Sequence, residues 1–164
     1  MFYLFSCIAL FANAQTTYKV RDVEQVIIYR HLDIVCPGDS CWRGDTLNLM
    51  GRRVYLIKGD TNYRFILGKE KAQWLLKWFT TKSNYQKGEV GTPVVNYTLL
   101  FYDKNDTLII GVQFGFDLVR GSTKNGITIP VGMPSNRKVT KLEQFFSTNK
   151  ITRWVTPCRH CKQK

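Results

Sequence analysis

Two alternating runs joined by a short polar tip, residues 94–118, constrain the fold of this chain more than any other stretch. Val95, Tyr97, Leu99 and Phe101 fall on one face of a strand, and Leu108, Ile110, Val112, Phe114, Phe116 and Leu118 on one face of the next, a period of two. Between them, Asp103, Lys104, Asn105 and Asp106 supply side chains that tolerate turn geometry and hydrogen-bond their own backbone. The pair predicts an antiparallel hairpin at the centre of a sheet.

The remaining elements arrange themselves around it. Residues 18–29 carry Val20, Val23, Val26, Ile27 and Ile28 among charges and predict a first strand, firmest in its second half. Arg52 and Arg53 lead into Val54–Ile57, a short strand buried on both faces, and residues 63–67 form the next. In residues 69–82, Ala72, Leu75, Leu76 and Phe79 recur at helical spacing, with Trp74 and Trp78 four apart and Lys69, Lys71, Lys77 and Lys82 on the other side. This is the main helix. Residues 83–93 and 121–126 read as loops. Ile127–Val131 reads as an edge strand, because Pro130 cannot donate to a ladder. Thr140 with Glu143 three residues on matches a capping box, which predicts a shorter second helix over residues 140–148, and residues 151–155 suggest a last strand. Strands in runs broken by two helices, without regular βαβ alternation, place the chain in the α+β class, with an antiparallel sheet of about five to seven strands.

At 164 residues, with 44% apolar and 13% aromatic side chains, the chain can bury one real core. Residues 15–157 are expected to form that single domain. Ahead of it, residues 2–11 are a continuous apolar run followed by Ala12-Asn13-Ala14, the small-x-small pattern cut by a signal peptidase. The run is shorter than the roughly 20 apolar residues a membrane span needs. Residues 1–14 therefore read as a signal peptide, and the protein as secreted or periplasmic, with outer-envelope association as an option. Leu4-Phe5-Ser6-Cys7 also resembles a lipobox, in which Cys7 would be lipidated.

Removing Cys7 from the five cysteines leaves Cys36, Cys41, Cys158 and Cys161, an even number in a chain addressed to an oxidising compartment. Cys36-Pro-Gly-Asp-Ser-Cys41 is turn chemistry held between two thiols. Cys158-Arg159-His160-Cys161 resembles the active-site sequence of thioredoxin-like oxidoreductases, but lacks the following helix whose N-terminus would stabilise a thiolate. Lys162 stands where a c-type haem site would carry its ligating His. The four thiols also have spacing that a structural zinc site can use. Disulfides are the leading expectation, and no metal or other cofactor is assigned.

Lys and Arg number 24 against 12 Asp and Glu, a formal net charge of +12 that favours anionic partners such as an acidic protein, a polysaccharide or an envelope surface. The basic stretch from Arg137 to Lys164, residues 158–164 forming its tail, lacks the interleaved aromatics of a single-strand nucleic-acid binder, so nucleic acid is disfavoured. Binding candidates are Trp74, Trp78, Arg52, Arg53, Arg159 and Lys162. Arg43-Gly44-Asp45 matches the integrin-binding tripeptide, a pattern short enough to recur by chance. Catalytic patterning is thin: only His31, with Asp33 two residues on, and His160 are available as imidazoles. The expectation is an exported, non-enzymatic binding protein. The alternative is a small exported enzyme, either a hydrolase around His31 or a thiol-disulfide oxidoreductase using the terminal CxxC.

Three disulfide connectivities are open. Linking Cys36 or Cys41 to the tail closes a loop of more than a hundred residues, which the chain-entropy model values at about 4 to 5 kcal/mol. Local closure is kinetically easier, and Pro37-Gly38 already bends the first pair together, so Cys36–Cys41 with Cys158–Cys161 is expected. Non-reducing peptide mapping of the exported protein reads the pairing directly, and four free thiols holding one zinc per chain would overturn it.

Overall fold

The computed structural model describes residues 17–30, 46–49, 52–55, 63–86, 96–115, 118–120 and 122–151. After a 3-10 turn at Val20–Asp22, the strands β1 (Gln25–Arg30), β2 (Thr46–Leu49), β3 (Arg52–Tyr55) and β4 (Arg64–Gly68) lead directly into helix α1 (Lys69–Thr80). A second 3-10 turn, Lys82–Asn84, precedes β5 (Tyr85–Gln86). The hairpin strands β6 (Tyr97–Tyr102) and β7 (Leu108–Gly115) follow, then β8 (Leu118–Arg120), β9 (Ser122–Lys124), β10 (Ile127–Ile129), β11 (Met133–Pro134) and helix α2 (Asn136–Thr148).

Five strands make one antiparallel sheet in the order β4-β1-β6-β7-β8. The pairs β2 with β3, β5 with β11 and β9 with β10 are two-stranded ribbons beside it. This is the α+β architecture the periodicity predicts, with β6 and β7 in the interior of the sheet. The signal-peptide residues, His31, the Arg43-Gly44-Asp45 tripeptide, all four remaining cysteines, Val95, Phe116 and residues 152–155 lie outside the described residues.

Alternation assigns the sheet faces. Val26 and Ile28 of β1, Leu67 of β4, Tyr97, Leu99 and Phe101 of β6, Ile110, Val112 and Phe114 of β7, and Val119 of β8 form the core side with the helices. From above, α1 contributes Ala72, Leu75, Leu76, Trp78 and Phe79, and α2 contributes Leu142 and Phe146. Phe114 meets Phe79 edge-on at 5.4 Å and Phe146 at 5.8 Å, while Tyr97 meets Phe146 edge-on at 5.0 Å. Both helices are thereby keyed to Phe114 of β7, and α2 to Tyr97 of β6 as well.

Four expectations are corrected. The hairpin pairing shifts between Phe101, opposite Ile110, and Tyr102, opposite Leu108. The extra residue, Ile109, is fully buried in the core beside Ile110, and Leu108 turns to the other face with Leu100, Tyr29 and Tyr102. Leu118 does not continue β7 but opens β8, which folds back to pair Leu118 with Gly115. Within residues 121–126, Ser122–Lys124 pairs with β10 across Asn125 and Gly126, whose φ angles of 54° and 80° are those of a two-residue hairpin turn. A Cβ at Gly126 would also sit 2.6 Å from Thr17 Cγ2, so this turn needs glycine twice over. Finally, α2 starts one turn before the expected cap. Ser135 is the N-cap, with its carbonyl accepting from Lys138 and Val139, and the Thr140 hydroxyl donates back to the Asn136 carbonyl inside the helix.

The hairpin tip falls at 103–106 as expected, and its chemistry is concentrated in Asp103. That carboxylate accepts from the amides of Asn105 at 2.8 Å and Thr107 at 2.9 Å, and from the Tyr18 hydroxyl at 3.2 Å. The Thr107 amide is the largest influence holding the Asp103 pKa below the ordinary carboxylate value. Desolvation opposes it, and the Asn105 amide and Tyr18 hydroxyl add to it. A depressed folded-state pKa contributes stability above the ordinary carboxylate range and loses it as pH falls through the folded value.

Thermal melts from neutral pH to below about pH 4 should therefore show a loss of stability that Asp103→Asn flattens. Phe114→Ala should cost about 3 to 5 kcal/mol in denaturant unfolding. Ile66→Ala, at a position 52% exposed, should stay within about 1 kcal/mol.

Candidate binding face

The two helices meet along one seam. Around α1, Ala72, Leu75, Leu76 and Phe79 point to the sheet, which leaves Trp74, Lys71 and Trp78 on one flank by the 3.6-residue period and Gln73 and Lys69 on the other. The second flank is tied to the N-terminal segment, where Gln73 Nε2 donates to the carbonyls of Arg21 at 2.9 Å and Val23 at 3.0 Å and Lys69 pairs with Glu24. The first flank faces α2. There the Trp74 indole lies parallel to the Phe145 ring, centroids 4.5 Å apart and planes within 4°.

Trp78, four residues on, is buried edge-on to Phe79 at 5.1 Å and tilted against Tyr85, its indole N–H without a hydrogen-bond partner among the described residues. The two tryptophans thus part company: Trp78 belongs to the core, and Trp74 stays 39% exposed at the seam. The α1 end beneath them is closed by downstream side chains instead of a glycine cap. Asn84 Nδ2 donates to the Trp78 carbonyl at 2.7 Å and the Tyr85 hydroxyl to the Phe79 carbonyl at 2.7 Å. Burial pushes the Tyr85 phenol far above its usual value, so it remains a donor at any working pH. The backbone N–H of Ser135 donates to the Asn84 carbonyl at 2.8 Å, which fixes the start of α2 against the end of α1.

Cations border the Trp74–Phe145 pair. Lys71 and Lys77 stand three residues either side of Trp74, and Lys141 and Lys138 share the flank of α2 that carries Phe145. Among the described residues none of these four has an ion-pair partner, in contrast to Lys69 with Glu24 and Arg21 with Asp22. Arg137, Lys82 and Lys150 extend the basic surface at the helix ends, against Glu70 and Glu143 as the acids of the two helices. Such an arrangement has the charge and the flat ring that could receive a distributed negative charge and one ring of a ligand. It has no nucleophile and base in contact.

On the opposite side of the sheet, Leu100 packs with Tyr29, Tyr102 and Leu108. The Tyr102 phenol is pushed up chiefly by burial and further by Tyr29 and Asp106, with Arg64 acting against them. A cross-strand row runs Arg64, Tyr29, Thr98, Gln113, Arg120, an arginine at each end. Thr98 and Gln113 are buried within it.

Of the residues singled out from sequence, Trp74 is the one the structure places at the helix seam. Arg52 and Arg53 form β3, opposite β2, their side chains outside the described residues, as are Arg159, Lys162 and His160. Phe145, Lys138 and Lys141 are not among the sequence-derived binding candidates, although both lysines fall in the basic stretch from Arg137. The helical spacing that puts Phe145 one position off the buried Leu142–Phe146 stripe was the available signal. Among the described residues no group of three or more His, Cys, Asp or Glu can hold a metal, and no helix is long and apolar enough to cross a membrane.

A double-mutant cycle on Trp74→Ala and Phe145→Ala should return a coupling of about 0.5 to 1.5 kcal/mol in unfolding free energy, the strength of an aromatic pair beyond its buried area. A coupling near zero would show that the two rings do not hold each other in solution. Compared with known protein families, with curated proteins and with solved structures, the chain finds no match.

Proposed function

We propose that this chain is an exported, non-enzymatic binding protein, secreted or periplasmic, whose two-helix face engages an anionic partner. The observation that carries the reading is the set Lys71, Lys77, Lys138 and Lys141, unpaired among the described residues, around a tryptophan left 39% exposed. Like charges gathered on one face repel one another, a cost in the free protein that an anionic ligand removes. The formal charge of +12 adds a long-range field that speeds encounter with such a ligand. The apolar leader ending in Ala12-Asn13-Ala14 supports export, and the four cysteines that follow it suit an oxidising compartment.

Replacing Lys71, Lys77, Lys138 and Lys141 together by Gln should weaken binding to an anionic polymer such as polygalacturonate or polyglutamate. At about 0.5 kcal/mol per exposed contact the loss is about 2 kcal/mol, roughly thirtyfold. Wild-type affinity should fall steeply as salt shortens the screening length from about 10 Å at 0.1 M to about 3 Å at 1 M. Binding that ignores both salt and the fourfold variant would remove this face from the function. The mature form should begin at Gln15 by mass spectrometry of the exported protein.

A further inference from the structure

We propose that Trp74 is a stacking platform for one sugar ring of an acidic polysaccharide, whose carboxylates are held by Lys71, Lys77, Lys138 and Lys141. The proposal rests on the reading that the two-helix face binds an anionic partner and names the chemistry of that partner. A parallel stack covers one face of each ring, so the exposure Trp74 retains belongs to its other face and its edges. Phe145 behind the indole fixes the plane of that open face before any ligand arrives, which lowers the ordering cost of binding. A flat, fixed, electron-rich indole is matched by the C–H face of a pyranose. A uronic acid sugar adds a carboxylate a few ångströms from the stacked ring, and side chains one helical turn away lie about 5 to 6 Å off at their Cβ atoms. Glu70, one turn before Trp74, is the acid of α1, so a ligand carboxylate is steered to Lys71, Lys77 and the α2 lysines.

Other anionic partners fit the two-helix face less well. A single-stranded nucleic acid uses successive stacking platforms, whereas among the described residues Trp78 is buried and Trp74 is the exposed tryptophan. A membrane surface calls for protruding apolar side chains, and among the described residues the large exposed apolar ones besides Trp74, Ile66 and Val131, lie on neither helix. A carboxylate-rich peptide would use the lysines and leave the platform idle.

The test titrates polygalacturonate and polyglutamate of matched charge into the purified protein and into its Trp74→Ala and Trp74→Leu variants, following tryptophan emission and calorimetric heat. Melting curves confirm that each variant is folded, and Trp74→Leu keeps apolar cover over Phe145 without a flat ring. Expected is a roughly tenfold preference for polygalacturonate, lost in both variants while polyglutamate affinity is unchanged, the scale of one aromatic contact. Equal affinity for the two polymers, indifferent to Trp74, would overturn the sugar platform and leave the anionic reading of the face standing. Binding of neither polymer would overturn both. A Trp74-dependent preference for anionic vesicles or an oligonucleotide over polygalacturonate would overturn the sugar assignment alone.

Discussion

The junction of Tyr97 and Phe114 with Phe79 and Phe146 is the contact on which the rest of the structure depends. Phe114 lies within 6 Å of the other three rings, edge-on to Phe79 from α1, tilted against Phe146 from α2 and stacked with Tyr97 of the neighbouring strand, and Phe146 meets Tyr97 edge-on. Because a ring from each helix packs on Phe114, neither helix can shift over that strand without opening a cavity at the junction. Local capping reinforces this. Asn84 and Tyr85 close the end of α1, Ser135 docks on Asn84, and Asn149 Nδ2 returns to the Phe145 carbonyl at the end of α2.

The two-helix face is a consequence of that junction. Phe145 and Phe146 are neighbours in the chain, and the helix period turns them to different surroundings: Phe146 into the aromatic core, Phe145 onto the Trp74 indole. In the same way Leu75 is buried while Trp74 stays at the rim. The flat ring at the surface is therefore held by the register of the core, and the lysines beside it are carried on rigid helices instead of loops. A site built this way spends little ordering entropy on binding.

The two helix flanks also differ in electrostatics. Toward the N-terminal segment, Lys69 and Gln73 are satisfied by Glu24 and by the backbone carbonyls of Arg21 and Val23. Toward α2, the cations have no such partners among the described residues. An exposed ion pair contributes little to stability, so the fold forgoes little by leaving these lysines without one, and their charge stays available.

Period-two alternation and 3.6-residue spacing were enough to read the hairpin, its tip at Asp103–Asp106, α1 and the α+β class, because those patterns are imposed by which side of an element meets water. Two misread features had legible signals of their own: Asn125-Gly126 is a strong hairpin turn, and Val139 carries the Leu142–Phe146 stripe back toward Ser135. The bulge at Ile109 had none, since a run of Leu108, Ile109 and Ile110 is equally apolar in either register, and only packing against Phe101 and Tyr102 chooses between them. The Trp74–Phe145 seam lies further still from the sequence. Helical spacing alone set the charge of each helix and put Trp74 near a flank. That Trp74 finds Phe145, distant in the chain, and that lysines of two helices border one ring, was decided by the tertiary structure. Stacking and charge proximity act through space, and spacing along a chain carries no information about distances between elements until the core has set them.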